Sequence, residues 1–133
     1  MITVKTTVQA PLSKVWECWN QPEHITGWAF ATDTWEAPAA ANDLKVGGTL
    51  KITMAAKDKS VSFDLIGQYT AVEEHKLIEY NMDGRHVKIE FQETADGVEV
   101  VESFDPEKEN PEEMQRAGWQ AILDNFKKYV ENQ

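Results

Sequence analysis

Apolar residues recur along this chain in two rhythms. At the start, Ile2, Val4, Thr6 and Val8 alternate with their neighbours through Gln9, the pattern of a strand with one buried face, and Ala10-Pro11 stops it. Leu12, Val15, Trp16 and Trp19 then follow at i, i+3, i+4 and i+7. Pro11 therefore opens a short amphipathic helix, because its missing N–H would have no partner in the first turn anyway. Asn20-Gln21-Pro22 repeats the stop-and-start signal and predicts a second helical stretch from Pro22 to about Thr26, ended by Gly27.

From Thr32 onward the rhythm is two. A short strand over Thr32–Glu36 gives way to a loop over Ala37–Asp43, read from its Pro, Ala, Asn and Asp, and a Gly47-Gly48 turn leads into Thr49–Ala56 with Leu50, Ile52 and Met54 on one face. Lys57-Asp58-Lys59-Ser60 turns the chain into Val61–Glu73, where Gly67 reads as a bulge. His75-Lys76 leads into Leu77–Met82, with Ile78, Tyr80 and Met82 in phase. Asp83-Gly84 is a two-residue hairpin signal into Arg85–Glu93, and Ala95-Asp96-Gly97 turns into Val98–Phe104. The last element is a long helix from Pro111 to about Glu131 with Asn110 as N-cap; Gln115, Gly118, Trp119, Ile122, Phe126, Tyr129 and Val130 fall within one arc of it. The order β-α-α-β-β-β-β-β-β-α is an α+β architecture, a curved antiparallel sheet with one apolar face wrapped around a long C-terminal helix.

Length and charge narrow the partners. The 133 residues make one domain's worth of chain, so a single unit over 1–133 is expected. Lys and Arg number 13 against 23 Asp and Glu, a net charge of −10, which opposes any binding that gains its affinity by neutralising phosphates; neither nucleic acid nor an anionic membrane surface is expected as a partner. No apolar run approaches the roughly 18 residues of a membrane span. Cys18 is the only cysteine, and MITVKTTVQA has neither the basic nor the apolar region of a leader, so a reducing cytoplasm is the expected location. Five Trp in so short a chain are unusual and need a structural reason.

A set of local motifs carries a resemblance over essentially the whole chain. Ala10-Pro11 is followed by Val15-Trp16, Pro22-Glu23 leads to Gly27-Trp28, and Asp43-Leu44-Lys45-Val46-Gly47-Gly48 precedes Met54. Gly67-Gln68-Tyr69 precedes Leu77-Ile78-Glu79-Tyr80, and Gly118-Trp119 is followed by Leu123 and Phe126. In these the chain resembles the helix-grip fold of the START-related and birch-pollen-allergen-like (SRPBCC) superfamily, in the branch named after the C-terminal domain of the activator of heat-shock protein 90 ATPase. The resemblance implies a cavity between sheet and long helix, holding lipids, sterols, polyketides or plant hormones; some members catalyse cyclisation or dehydration there. The eukaryotic activator carries a further N-terminal domain central to chaperone stimulation, and this sequence shows no such segment. A chaperone partner therefore ranks behind a small apolar or amphipathic molecule.

Trp28, Trp35, Met54, Phe63, Tyr80, Phe91 and Trp119 are large and on or near the inward phase of their elements, which makes them the candidate wall of such a cavity. Core packing explains each of them singly. Gly118 would let sheet or ligand approach the helix, or is a plain packing glycine. Glu102 is the anomaly: alternation puts it beside Val98, Val100 and Phe104, where an unpaired carboxylate is costly, so it needs a partner, Arg85 or Gln115, or a raised pKa. A bulge near Val101 would instead turn it outward. Glu102 is the single candidate for acid–base chemistry, with Arg85 or Tyr80 assisting.

Other residues point to ordinary roles. His24, His75 and His86 are scattered without metal-ligand spacing, and neither a metal nor a cofactor is expected. Gly47-Gly48 precedes a strand, unlike a dinucleotide or phosphate loop. Cys18 reads as a semi-buried small hydrophobe. The acidic run Asp105–Glu113 reads as a solvated loop or as a docking surface for a basic partner.

Overall fold

The computed structural model describes all residues, 1–133. Its elements are β1 (Ile2–Val8), α1 (Leu12–Asn20), α2 (Pro22–Ile25), β2 (Trp35–Asn42), β3 (Thr49–Ala56), β4 (Ser62–Glu73), β5 (Leu77–Met82), β6 (Arg85–Thr94), β7 (Gly97–Phe104) and α3 (Glu112–Glu131). The strands form one curved antiparallel sheet in the order β1-β7-β6-β5-β4-β3-β2. β2 to β7 are therefore a meander, and β1 closes it by pairing with β7. The predicted α+β helix-grip architecture is the one observed.

Alternation determines which side chains turn inward. Ile2, Val4 and Val8 of β1, Ile78, Tyr80 and Met82 of β5, Val87, Ile89 and Phe91 of β6, and Val98, Val100 and Phe104 of β7 are all buried. α3 lies on this face over β1, with Leu123, Phe126 and Val130 buried at the contact. Its buried stripe is centred further toward Leu123 than the sequence arc implied, which leaves Gly118 at the margin: a Cβ there would meet nothing within 4 Å. Gly118 therefore serves neither packing nor a close approach of the sheet.

Three local readings are corrected by tertiary context. The segment 37–42, read as a loop, is most of β2. Pro38 is tolerated because β2 is an edge strand, where an N–H need not be donated, and because the register with β3 slips between Glu36 and Ala39. Thr32 to Thr34 form a turn before the strand instead of its start, closed by Trp35 N–H donating to Thr32 C=O at 3.2 Å. The irregularity in β4 falls between Tyr69 and Ala71, whereas Gly67 is in regular register with Leu50. Gly67 makes room for a neighbour: a Cβ at that position would lie 2.5 Å from Tyr80 Cδ2. The Asp83-Gly84 turn has φ of +52° and +77°, both left-handed, as a tight hairpin between twisted strands requires.

Aromatic packing fills one end of the helix–sheet interface. Trp16 meets Phe91 edge-on at 5.2 Å, and Trp19 contacts Trp28 at 4.8 Å and Phe126 at 4.9 Å. Cys18 is fully buried in this cluster, deeper than its sequence position suggested, and burial pushes its thiol pKa up. The other end of the interface, under the N-terminal half of α3, is not filled.

Candidate functional site

A cavity of about 410 Å³ occupies that unfilled end. β3 supplies Leu50, Ile52 and Met54, β4 supplies Phe63, Leu65 and Tyr69, and β5 supplies Ile78, Tyr80 and Met82. Trp19, Ile25 and Trp28 form the side toward the short helices, and Gln115, Trp119 and Ile122 of α3 form the roof. Asp83, Arg85, Glu107 and Asn110 lie where the β5–β6 turn faces the loop before α3.

The wall is held from behind. Trp119 stacks on Phe104 with ring centroids 3.8 Å apart and planes at 11°, and Phe104 is completely buried, so the indole orientation is set by the core. Trp28 Nε1–H donates to Cys18 C=O at 2.9 Å, which uses up its polar tip and leaves the ring as apolar wall. Tyr69 Oη–H donates to Asn42 Oδ1 at 2.6 Å, and Asn42 Nδ2–H donates to Asn20 C=O at 2.8 Å, tying β4 and β2 to the end of α1. The tyrosine rings of Tyr69 and Tyr80 meet edge-on at 6.0 Å.

Glu102 turns inward. Its pairing is regular on both sides, with Val4 of β1 and Ile89 of β6, so there is no bulge at Val101 to rotate it outward. It is only 6 % exposed, and burial alone pushes its carboxyl up to about 8, so the neutral acid predominates at neutral pH. Neither expected partner reaches it. Gln115 spends its amide on the loop before α3: Oε1 accepts Glu107 N–H at 2.9 Å, and Nε2 donates to Glu107 C=O at 3.0 Å and Asn110 C=O at 2.8 Å. Arg85 donates Nε–H to Asp105 C=O at 3.0 Å and pairs with no carboxylate. Both were plausible partners because both face inward; the free backbone groups of the adjoining loop are nearer. The carboxyl of Glu102 makes no hydrogen bond within the protein, yet its oxygens are not among the sealed unpaired atoms, a class that contains only Asn20 Oδ1. They open into the cavity.

Tyr80 is the neighbouring polar group. Its hydroxyl also has no protein partner, and its pKa is pushed well above the usual value, first by burial and then by Glu102. Arg85 acts on Tyr80 in the opposite direction, whereas burial is the single cause acting on Glu102.

Of the residues singled out from sequence, the structure places Trp28, Met54, Phe63, Tyr80, Arg85, Glu102, Gln115 and Trp119 on the cavity. Trp35 and Phe91 are not on it. Trp35 begins the edge strand β2 and lies half-buried with its ring 5.9 Å from Phe63, outside the wall. Phe91 is at the far end of β6 from Arg85 and packs between Trp16 and Trp19. Trp19, read as a core residue only, does line the cavity, as do Tyr69 and Met82. Tyr69 was within reach of the sequence, since it shares the inward phase of Phe63 and Leu65. Asn110 does not cap α3 with its side chain; Pro111 occupies the N-cap and no side chain fills that role. The acidic loop is partly structural: Asp105 Oδ2 accepts His86 N–H at 2.9 Å and Glu107 Oε1 accepts Asn110 N–H at 2.7 Å.

The family model described as Activator of Hsp90 ATPase homolog 1-like protein matches residues 9–131. No curated protein matches the chain. Among solved structures, an AHSA1-like protein from Aeromonas hydrophila, determined by solution NMR, superposes with a TM-score of 0.93 at 40% identity, over 98% of this chain and 92% of that one. A protein from Cytophaga hutchinsonii is 56% identical with a TM-score of 0.85, again over 98% and 92%. A crystal structure of a protein from Nitrosomonas europaea, 18% identical over 98% of this chain and 94% of that one, reaches a TM-score of 0.86 and shares the fold.

Proposed function

The chain belongs to the Activator of Hsp90 ATPase homolog 1-like family, within the SRPBCC superfamily, and on that footing we propose that it binds a small, largely apolar molecule in the cavity between sheet and α3. Proteins of this fold commonly bind hydrophobic ligands. A lipid, isoprenoid or polyketide-like compound is the class in view. The observation that carries the reading is the cavity itself: about 410 Å³, walled by aromatic and aliphatic side chains with a few polar groups among them, the ordinary make-up of a small-molecule site.

Filling the cavity tests this. Met54→Trp adds bulk from the wall into the open volume, so affinity for compounds of these classes falls at least about tenfold while the fold and thermal stability hold. Undiminished binding in that variant would locate the ligand elsewhere.

A cyclase- or dehydratase-type reaction in the same cavity is the second reading, favoured by the inward, protonated Glu102 beside Tyr80. With such a substrate, Glu102→Gln abolishes turnover and leaves binding; turnover that survives the substitution removes this reading. A chaperone partner has the family description in its favour and would use the acidic loop before α3, where Asp105 and Glu107 are already engaged within the chain. No helix is long and apolar enough to cross a membrane.

A further inference from the structure

The polar groups of the cavity fall into two stations. Deep on the sheet, Glu102 and Tyr80 each present an oxygen that has no partner in the protein and opens into the cavity. Toward the loop before α3, Arg85 is anchored through Nε to Asp105 C=O. Arg85 forms no ion pair with Glu102 and acts electrostatically on Tyr80 alone of the two, so a negative charge beside Glu102 would sit in an apolar part of the cavity without a counter-ion. The titratable groups facing the cavity are Tyr69 of β4, Tyr80 of β5, Asp83 of the β5–β6 turn, Arg85 of β6, Glu102 of β7 and Glu107 of the loop; α3 contributes none, its lining residues being Gln115, Trp119 and Ile122, and the carboxylate of Asp64 is held on the outer face of the sheet by Thr53 and Lys51. Two outer carboxylates, Asp83 and Glu107, against one guanidinium also disfavour the entry of an anion.

Resting on the binding role proposed above, we infer that the ligand is a neutral molecule carrying a hydrogen-bond-accepting oxygen, a ketone, ester or amide carbonyl, which Glu102 and Tyr80 receive as donors. A protonated carboxyl and a phenol are both O–H donors aimed from the sheet at one region of an apolar cavity. A ligand without an acceptor leaves both unpaired and gives up the discrimination that buried polar groups provide. Raised pH removes one donor, since Glu102 loses its proton at about 8, and the carboxylate then repels the same oxygen.

Three probes of one shape separate the alternatives: 2-acetylnaphthalene, its isostere 2-isopropenylnaphthalene, and 2-naphthoate, followed by NMR titration of the whole chain at pH 6.5 and 9.5. At pH 6.5 the ketone is expected to bind about five- to tenfold more tightly than the alkene, and more tightly than the carboxylate. At pH 9.5 the preference for the ketone shrinks. Glu102→Gln, which retains an N–H donor, keeps the preference at both pH values, whereas Glu102→Leu reduces it. Equal affinity for ketone and alkene at pH 6.5, a preference untouched by Glu102→Leu or by high pH, or tighter binding of the carboxylate each overturns the inference while leaving the binding role standing. If neither neutral probe binds, the binding role itself fails and this inference fails with it.

Discussion

Glu102 is where a single residue decides most. Alternation with Val98, Val100 and Phe104 pointed it inward while Val100-Val101 left room for a bulge that would turn it outward, and the unbroken register of β7 decides for the inward orientation. Its isolation was not readable, because it depends on Gln115 and Arg85 finding backbone partners in a loop that no periodicity describes. The isolation has a thermodynamic signature. Burial pushes the carboxyl up to about 8 in the folded chain against an ordinary value of 4.5, so the folded state holds this proton more tightly than the unfolded one. Stability contributed by the neutral acid is complete below the unfolded pKa and is lost as pH climbs to the folded one. Glu102→Gln is therefore expected to be more stable than the parent chain by on the order of a few kcal/mol at pH 9 and to differ little at pH 5. Parallel stability–pH curves in chemical denaturation would contradict the buried, unpaired carboxyl. A second residue-scale test concerns Gly67, whose hydrogen faces the Tyr80 ring. Gly67→Ala must displace that ring and is expected to cost about 1–3 kcal/mol, with shifted Tyr80 ring resonances in the NMR spectrum.

At the scale of elements, the strands were legible wherever two conditions met: a turn with its own chemistry, such as Asp83-Gly84, and a strict alternation on one side. β2 failed the second condition. Its Ala-Pro-Ala-Ala-Ala run carries no two-residue rhythm, and only its position at the sheet edge lets Pro38 sit in a strand. α3 was legible in extent, and its contact face was displaced by the way it lies along β1, which buries Leu123 and releases Gly118. Gly118→Ala is accordingly expected to stabilise the chain by about 0.5–1 kcal/mol, measured by thermal unfolding, since the added methyl meets open space in a helix interior. Loss of stability would mean that something packs there after all. Gln115 is the fastening between α3 and the preceding loop, through its three hydrogen bonds to Glu107 and Asn110. Gln115→Met preserves bulk and removes all of them; faster hydrogen exchange at the Glu107 amide is expected, on the scale of a roughly 1–3 kcal/mol loss of local protection.

The whole molecule combines two interfaces of different quality between the same sheet and helices. Where α1, α2 and the second half of α3 converge, Trp16, Trp19, Trp28, Phe91 and Phe126 interlock. Under the first half of α3 the same sheet faces a cavity of about 410 Å³. Hydrophobic pattern reports that a side chain turns inward and is silent on whether the space it enters is filled. That is why Phe91 and Trp35 could not be told from Trp28 and Trp119 by sequence, and why the five Trp had to be sorted by structure: Trp16 in the core, Trp35 beside the wall, and Trp19, Trp28 and Trp119 on the cavity. The central claim is that this cavity is a binding site. The most direct measurement is an NMR titration of the chain with a panel of lipid, isoprenoid and polyketide-like compounds, read at the indole signals of Trp19, Trp28 and Trp119 and the ring signals of Tyr80. Saturable shifts concentrated on these residues, with the exposed face of the sheet silent, are the expected result; shifts confined to the exterior across the panel would contradict it.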